Sequence, residues 1–214
     1  TFSILLRGCS FLAVYEVGVV AALQELAPDI LKSASKIYGA SSGAVVATLA
    51  LCECDIGKDD ALPFVLCPKR LSVWKFWLLK MLKDLLNQYL PPDAHERVSG
   101  KLHVILTRVR DWSSVMVSQF SSRDDLIQAV MCSCFIPLYF GFLPPAFHGV
   151  RYVDGELSMW QSNFVSRTTI TISAFAGEYN ICPKENPAAF FTFQLFNYIL
   201  QISKRNISHL QYVV

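Results

Sequence analysis

Apolar positions along this 214-residue chain fall into two kinds of run. Short runs without a helical period read as strands: Thr1–Leu6 (TFSILL), Lys36–Gly39, Leu102–Val109, Val115–Phe120, Arg151–Val153 and Thr168–Phe175 (TTITISAF). The last is the most β-branched of them. Longer runs read as helices: Phe11–Leu26, ended by Pro28; Ser42–Cys52, rich in Ala, Val and Leu; Leu71–Leu90, stopped by Pro91-Pro92; and Arg123–Cys134, with Ser121 or Ser122 available as its cap. In the third, Trp74, Leu78, Met81, Leu82, Leu85 and Tyr89 share one face while Lys80, Lys83 and Asn87 lie opposite. That face suits a core-packed helix; the other reading is an interfacial helix with Trp77 towards its edge. Asp55–Pro68 reads as a loop, and the aromatic segment after Cys182 as loosely helical. Strands that are apolar throughout, alternating with apolar helices, predict an α/β fold: a mostly parallel sheet covered on both faces.

Composition sharpens this picture. Hydrophobic residues make up 53% and charged ones 17%, rich for a soluble domain, so an apolar or interfacial surface is expected. A net charge of +2 gives no reason to expect nucleic acid. The seven cysteines show no paired metal-ligand spacing, and Cys132 and Cys134 sit in an apolar run as small hydrophobes, so reduced thiols and no metal are expected. The longest uncharged stretch, Leu126–Val150, carries Pro137, Pro144-Pro145 and Gln128, which argue against a spanning helix. The chain begins at Thr1 without a Met and is read as a fragment, with one domain over residues 1–175 and part of a C-terminal extension over 176–214.

The chemistry begins at Gly39-Ala40-Ser41-Ser42-Gly43, a G-x-S-x-G between a buried strand and an apolar helix. Small residues allow a sharp turn there, with Ser41 at its apex and the helix N-terminus aimed at the reacting group. The bland alternative is a close-packed strand–helix turn. A serine needs a base. His95, His103, His148 and His209 are poorly placed for one, although a Ser41–Asp154–His209 triad stays open. Asp154, in VRYVDGE, follows a strand and precedes Gly155; it suits a base, and the Asp-Gly pair is also an ordinary turn. A turn centred on Gly8 in LLRGCSFLA can supply backbone N–H donors to an oxyanion.

The stretches GCSFLAVYEVG, IYGASSGA, LPPDAHERVSGKLHVILTRV, DDLIQAVMCSCFIPLYFG and GVRYVDGELS, with TITISAFAGEYNICP beyond, resemble the patatin-like phospholipase family, in its adipose triglyceride lipase and adiponutrin branch. SGKLHVILTR and the Cys182–Gln194 region are most similar to the branch member associated with skin acylceramide synthesis. The resemblance implies a three-layer α/β/α sandwich and acyl transfer by a Ser–Asp dyad without cofactor. It implies Ser41 as nucleophile, Asp154 as proton acceptor, and Gly8, Cys9 and Ser10 as the oxyanion loop. The implied partners are a neutral lipid or phospholipid and a droplet or membrane surface, approached from the cytoplasm, with a protein activator left open. This chain departs from the pattern. Ser10 and Ala13 replace glycines of a G-x-G-x-x-G, Glu156 follows Asp154-Gly155 where Gly or Ala is usual, and the segment from Cys54 to Leu71 is short. The departures leave a second reading, a lipid-surface protein of the same fold with little turnover. They also carry an expectation: Glu156 disturbs Asp154 unless its carboxylate points into water.

Overall fold

The computed structural model describes residues 1–54, 75–161, 168–176, 179–184, 192–195 and 198–201. Its elements run β1 (Ser3–Leu6), α1 (Ala13–Leu26), α2 (Pro28–Ser33), β2 (Lys36–Ala40), α3 (Ser42–Leu51), α4 (Lys75–Tyr89), α5 (Ala94–Val98), β3 (Leu102–Arg108), β4 (Ser114–Val117), α6 (Arg123–Ser133), β5 (Ala146–Phe147), β6 (Val150–Asp154) and β7 (Thr169–Ile172). A hairpin of β8 (Thr192–Leu195) and β9 (Tyr198–Gln201) follows. The main sheet has the order β5-β6-β3-β2-β1-β7, with β4 paired to β3. Its centre, β3-β2-β1-β7, is parallel; β4, β5 and β6 join antiparallel.

Why the central strands lack alternation is plain from their burial. Ile4, Leu5 and Leu6 are all buried, but Ile4 and Leu6 face a large core shared with α1, α3, α4 and α6. Leu5 faces the other side, with Ala40, Ile105 and Met159. A strand buried on both faces has no polar side to show. The expected mixed α/β architecture with helical cover is therefore present, and a 3-10 segment at Gly155–Gln161 supplies Met159 to the second face.

Several boundaries differ from expectation. The first helix is preceded by a 3-10 turn at Ser10–Leu12, and Pro28 opens α2 instead of only ending α1. Proline at a first helical position gives up an N–H that has no intrahelical partner anyway. Ser122, not Ser121, caps α6: it accepts from the Asp125 N–H at 3.1 Å, while Ser121 donates back to the Asp125 carboxylate. On α4 the buried stripe is Leu82 and Leu86, continued by Leu90 just past the helix. Met81, which the sequence pattern puts on the apolar face, is exposed, whereas Leu86, which that pattern does not include, is fully buried. The expected loop at 55–68 and the side chains of Trp74, Trp77 and Leu78 lie outside the described residues. The segment after Cys182 is not loosely helical where it is described. Residues 192–195 and 198–201 form an antiparallel hairpin, pairing Thr192 with Gln201 and Leu195 with Tyr198. No described helix is long and apolar enough to cross a membrane.

Candidate active site

The site forms where one strand edge changes owner. Along β3, residues Leu102 to Ile105 pair with β2, ending at Ala40 opposite Ile105. β4 holds the other edge through Val104–Thr107. From Leu106 onward β6 takes over the edge that β2 has left, with Asp154 opposite Leu106. The chain leaves β2 at Ser41 and leaves β6 at Asp154, so both residues emerge at neighbouring positions on one edge of β3.

Ser41 adopts φ 54°, ψ −130°. A positive φ is costly for a residue with a Cβ and is typical of a strained turn at a functional site. Close packing holds it there. A Cβ on Gly39 would come within 2.6 Å of the Ala44 Cα, and one on Gly43 would overlap the Leu6 carbonyl. The Ser41 N–H donates to Ser133 Oγ at 2.9 Å, and the Ser133 hydroxyl donates to the Ile105 carbonyl at 2.7 Å. Ile105 is where the edge changes from β2 to β6, so Ser133 satisfies groups that the changeover leaves unpaired. Sequence reasoning passed over Ser133, whose one signal is a hydroxyl between the buried Cys132 and Cys134.

Asp154 is buried. Its N–H donates to the Phe135 carbonyl at 2.8 Å, its carbonyl accepts from Thr107 Oγ1 at 2.6 Å, and its Oδ1 accepts from the Glu156 N–H at 2.9 Å. Gly155 is required beside it, because a Cβ there would overlap the Ile105 carbonyl. Burial pushes the Asp154 carboxyl up to about 7; the nearby Ser41 hydroxyl and the Glu156 N–H favour the charged form, and the negative charge of Glu156 adds to the rise. A carboxyl poised near neutrality beside a strained serine at the head of α3 can accept that serine's proton and return it.

The Gly8–Ser10 loop lies against this pair. A Cβ on Gly8 would fall within 2.7 Å of both Ser41 Cβ and Glu156 Cγ. The left-handed residue of the loop is Ser10, at φ 51°. The Cys9 N–H donates to Ser42 Oγ at 2.9 Å, so the second serine of the motif secures the loop. Glu156 does not point into water: its side chain is 11% exposed, its Oε2 accepts from Arg7 Nη2 at 2.8 Å and its Oε1 from the Gly8 N–H at 2.6 Å. Under the loop, the Glu16 carboxyl is fully buried against the Cys9 thiol, and neither of its oxygens makes a close hydrogen bond. Burial lifts both groups well above their usual ranges, and the negative charge of Glu156 raises Glu16 further. The raised thiol makes Cys9 a poor nucleophile. Glu16 was also missed, although a carboxylate inside AVYEVGVVAAL was its signal.

The described histidines have partners elsewhere. His103 packs at a tilt against the Tyr38 ring and bonds the Lys101 carbonyl, His148 pairs with Asp125 at the surface, and His95 lies on α5 near Glu96. His209 is outside the described residues. Among the described residues no group of side chains could hold a metal ion.

Residues 4–159 match the patatin-like phospholipase family. The chain is 40% identical to the human omega-hydroxyceramide transacylase, over 99% of its own length and 41% of that protein's. It is 40% identical to human patatin-like phospholipase domain-containing protein 2, over 98% of this chain and 43% of the relative. It is 39% identical to a Mus musculus 1-acylglycerol-3-phosphate O-acyltransferase, over 96% of this chain and 51% of the relative. The chain thus spans about half the length of these curated relatives, and it belongs to the patatin-like phospholipase family.

Proposed function

We propose that this chain is an acyl hydrolase or transacylase acting on neutral lipid esters, triacylglycerol among them, at a droplet or membrane surface. Ser41 is the nucleophile and Asp154 the base. The observation that carries the reading is the edge handover on β3, which brings a Ser41 of strained φ beside a buried Asp154 whose carboxyl is held at about 7.

In this mechanism Ser41 Oγ attacks the ester carbonyl as its proton passes to the Asp154 carboxylate. The carbonyl oxygen becomes an oxyanion that needs N–H donors from the Gly8–Ser10 loop, and the α3 N-terminus faces the developing charge. Collapse of the intermediate breaks the ester C–O bond, and the leaving alcohol takes the proton from Asp154. Water or a lipid hydroxyl then attacks the acyl-serine, giving its proton to Asp154, and Ser41 recovers it as the acid or new ester departs. The names of the relatives span both outcomes, transacylase and phospholipase.

A surface site for this chemistry is supported by the segment after Phe135, whose carbonyl holds the Asp154 N–H. There Leu138, Phe142 and Leu143 are 78%, 84% and 70% exposed, three large apolar side chains on a turn tied by the Leu138 N–H to the Gly141 carbonyl. Such a turn offers apolar area to an acyl-lipid surface. The second reading, a lipid-surface protein with little turnover, is favoured by Glu156 sitting on the Gly8 N–H.

The test is turnover of emulsified triacylglycerol and of a short-chain ester by the purified chain. Ser41→Ala and Asp154→Asn each abolish it on this proposal, whereas Ser42→Ala leaves part. Full activity in Ser41→Ala ends the assignment.

A further inference from the structure

Glu156 is aimed into the loop that the chemistry needs. Its Oε1 receives the Gly8 N–H at 2.6 Å, and Gly8 packs directly against Ser41 and the Glu156 side chain. A tetrahedral intermediate on Ser41 Oγ would turn its negative oxygen towards the same N–H. The loop's next donor, the Cys9 N–H, is already given to Ser42 Oγ. The other Glu156 oxygen is anchored by the Arg7 guanidinium at 2.8 Å, and the two side chains are 5% and 11% exposed. A carboxylate carries the formal charge of an oxyanion, and with a buried guanidinium behind it, it outcompetes the neutral carbonyl oxygen of an incoming ester.

We propose that Glu156 is an internal ligand of the oxyanion loop: its carboxylate, anchored by Arg7, occupies the Gly8 N–H in place of the substrate's oxyanion, and ester turnover requires it to leave. The proposal rests on Ser41 being the nucleophile. It makes Arg7 and Glu156 a pair whose function is to hold the site closed. The Glu156 N–H that bonds Asp154 is backbone and survives any substitution other than proline, so at Asp154 a variant removes only the charge that Glu156 adds there.

The experiment is the rate at which a fluorophosphonate labels Ser41 in the purified chain, in Glu156→Gly, and in Glu156→Gln, with Ser41→Ala as the blank. Freeing one oxyanion donor is worth about 10²–10³ in rate, so Glu156→Gly is expected to label on the order of 10² faster than the parent. Glu156→Gln, uncharged but of similar size, falls between them. Acetate added to Glu156→Gly should refill the vacated place and slow labelling again, while the parent, already occupied, does not respond. Should Glu156→Gly fail to fold, as judged by its thermal melt, Glu156→Gln and Arg7→Gln decide the matter, each expected to label roughly tenfold faster. Folded variants that label at the parent's rate overturn the internal ligand and leave Ser41 as nucleophile. A Glu156→Gly rate indifferent to acetate also overturns it. Absence of Ser41 labelling in every variant overturns the nucleophile assignment itself, and the internal ligand falls with it.

Discussion

The turn carrying Ser41 and the loop carrying Gly8 touch each other, yet the fold constrains them to very different extents. At the turn, Gly39, Gly43 and Gly155 all stand where the G-x-S-x-G and Asp-Gly patterns put them, and a Cβ at any of them would meet backbone. At the loop, Ser10 carries a side chain at a left-handed φ, and Glu156 fills space beside Gly8. The physical difference is what the extra atoms would strike. A backbone carbonyl in the middle of a sheet cannot give way without breaking the ladder, so the turn's glycines are held by the fold. Ser10 costs only an unfavourable φ, and Glu156 found a cation. Stability therefore polices the Ser41 turn, whereas the Gly8 loop is free of that constraint.

That contrast breaks first if backbone contact is not the constraint. Gly155→Ala should lower stability by about 3 kcal/mol, or roughly 6–12 °C in melting temperature for a chain of this size. A melt within a degree or two of the parent would mean that the turn has slack.

The second prediction concerns pH. With the Asp154 carboxyl at about 7, labelling of Ser41 should rise about tenfold per pH unit below that value and level off above it, because the base must be ionised. Stability should run the opposite way. A carboxyl raised in the folded state is protonated there and ionised in the unfolded chain between about pH 4 and 7, so its contribution to stability falls as pH climbs through that window. Asp154→Asn should flatten that decline in urea titrations while removing labelling. A rate profile that levels off near pH 4 would place the base elsewhere.

Ser133→Ala tests the turn from beneath. It strips a partner from the Ser41 N–H and from the Ile105 carbonyl, and should cost about 1–3 kcal/mol with a roughly tenfold slower labelling rate. Unchanged labelling in a destabilised protein would make Ser133 a purely structural residue.

The smallest effect is expected at Ser10. Replacing a left-handed serine by glycine relieves strain but adds freedom to the unfolded chain, so Ser10→Gly should change stability by no more than about 1 kcal/mol. A large loss would show that the Ser10 side chain holds the loop.

Much of this could be read along the chain because it is local. The strand–turn–helix around Ser41 announces itself through small residues and apolar runs, and Asp154 through its place after a strand. What stayed hidden depends on residues far apart in sequence. Nothing near Arg7 announces Glu156, because β1 and β6 approach only through the order of the sheet. Ser133 acquires its role from the edge changeover on β3, which no periodicity encodes. The hairpin at Thr192–Gln201 was legible in part: Phe193 and Leu195 alternate with Thr192 and Gln194, a strand period that aromatic richness obscured. Pro28 misled for a different reason, since proline both ends one helix and opens another.

The handover on β3 makes that strand a ruler. Ala40, the residue before Ser41, and Asp154 lie opposite successive residues of a third strand, a step of about 3.3 Å, so their placement does not depend on the length of any loop or the tilt of any helix. Chain inserted or deleted between β2 and β3, or between β3 and β6, leaves the mark where it was. Connecting segments can therefore change length while Ser41 and Asp154 keep their distance.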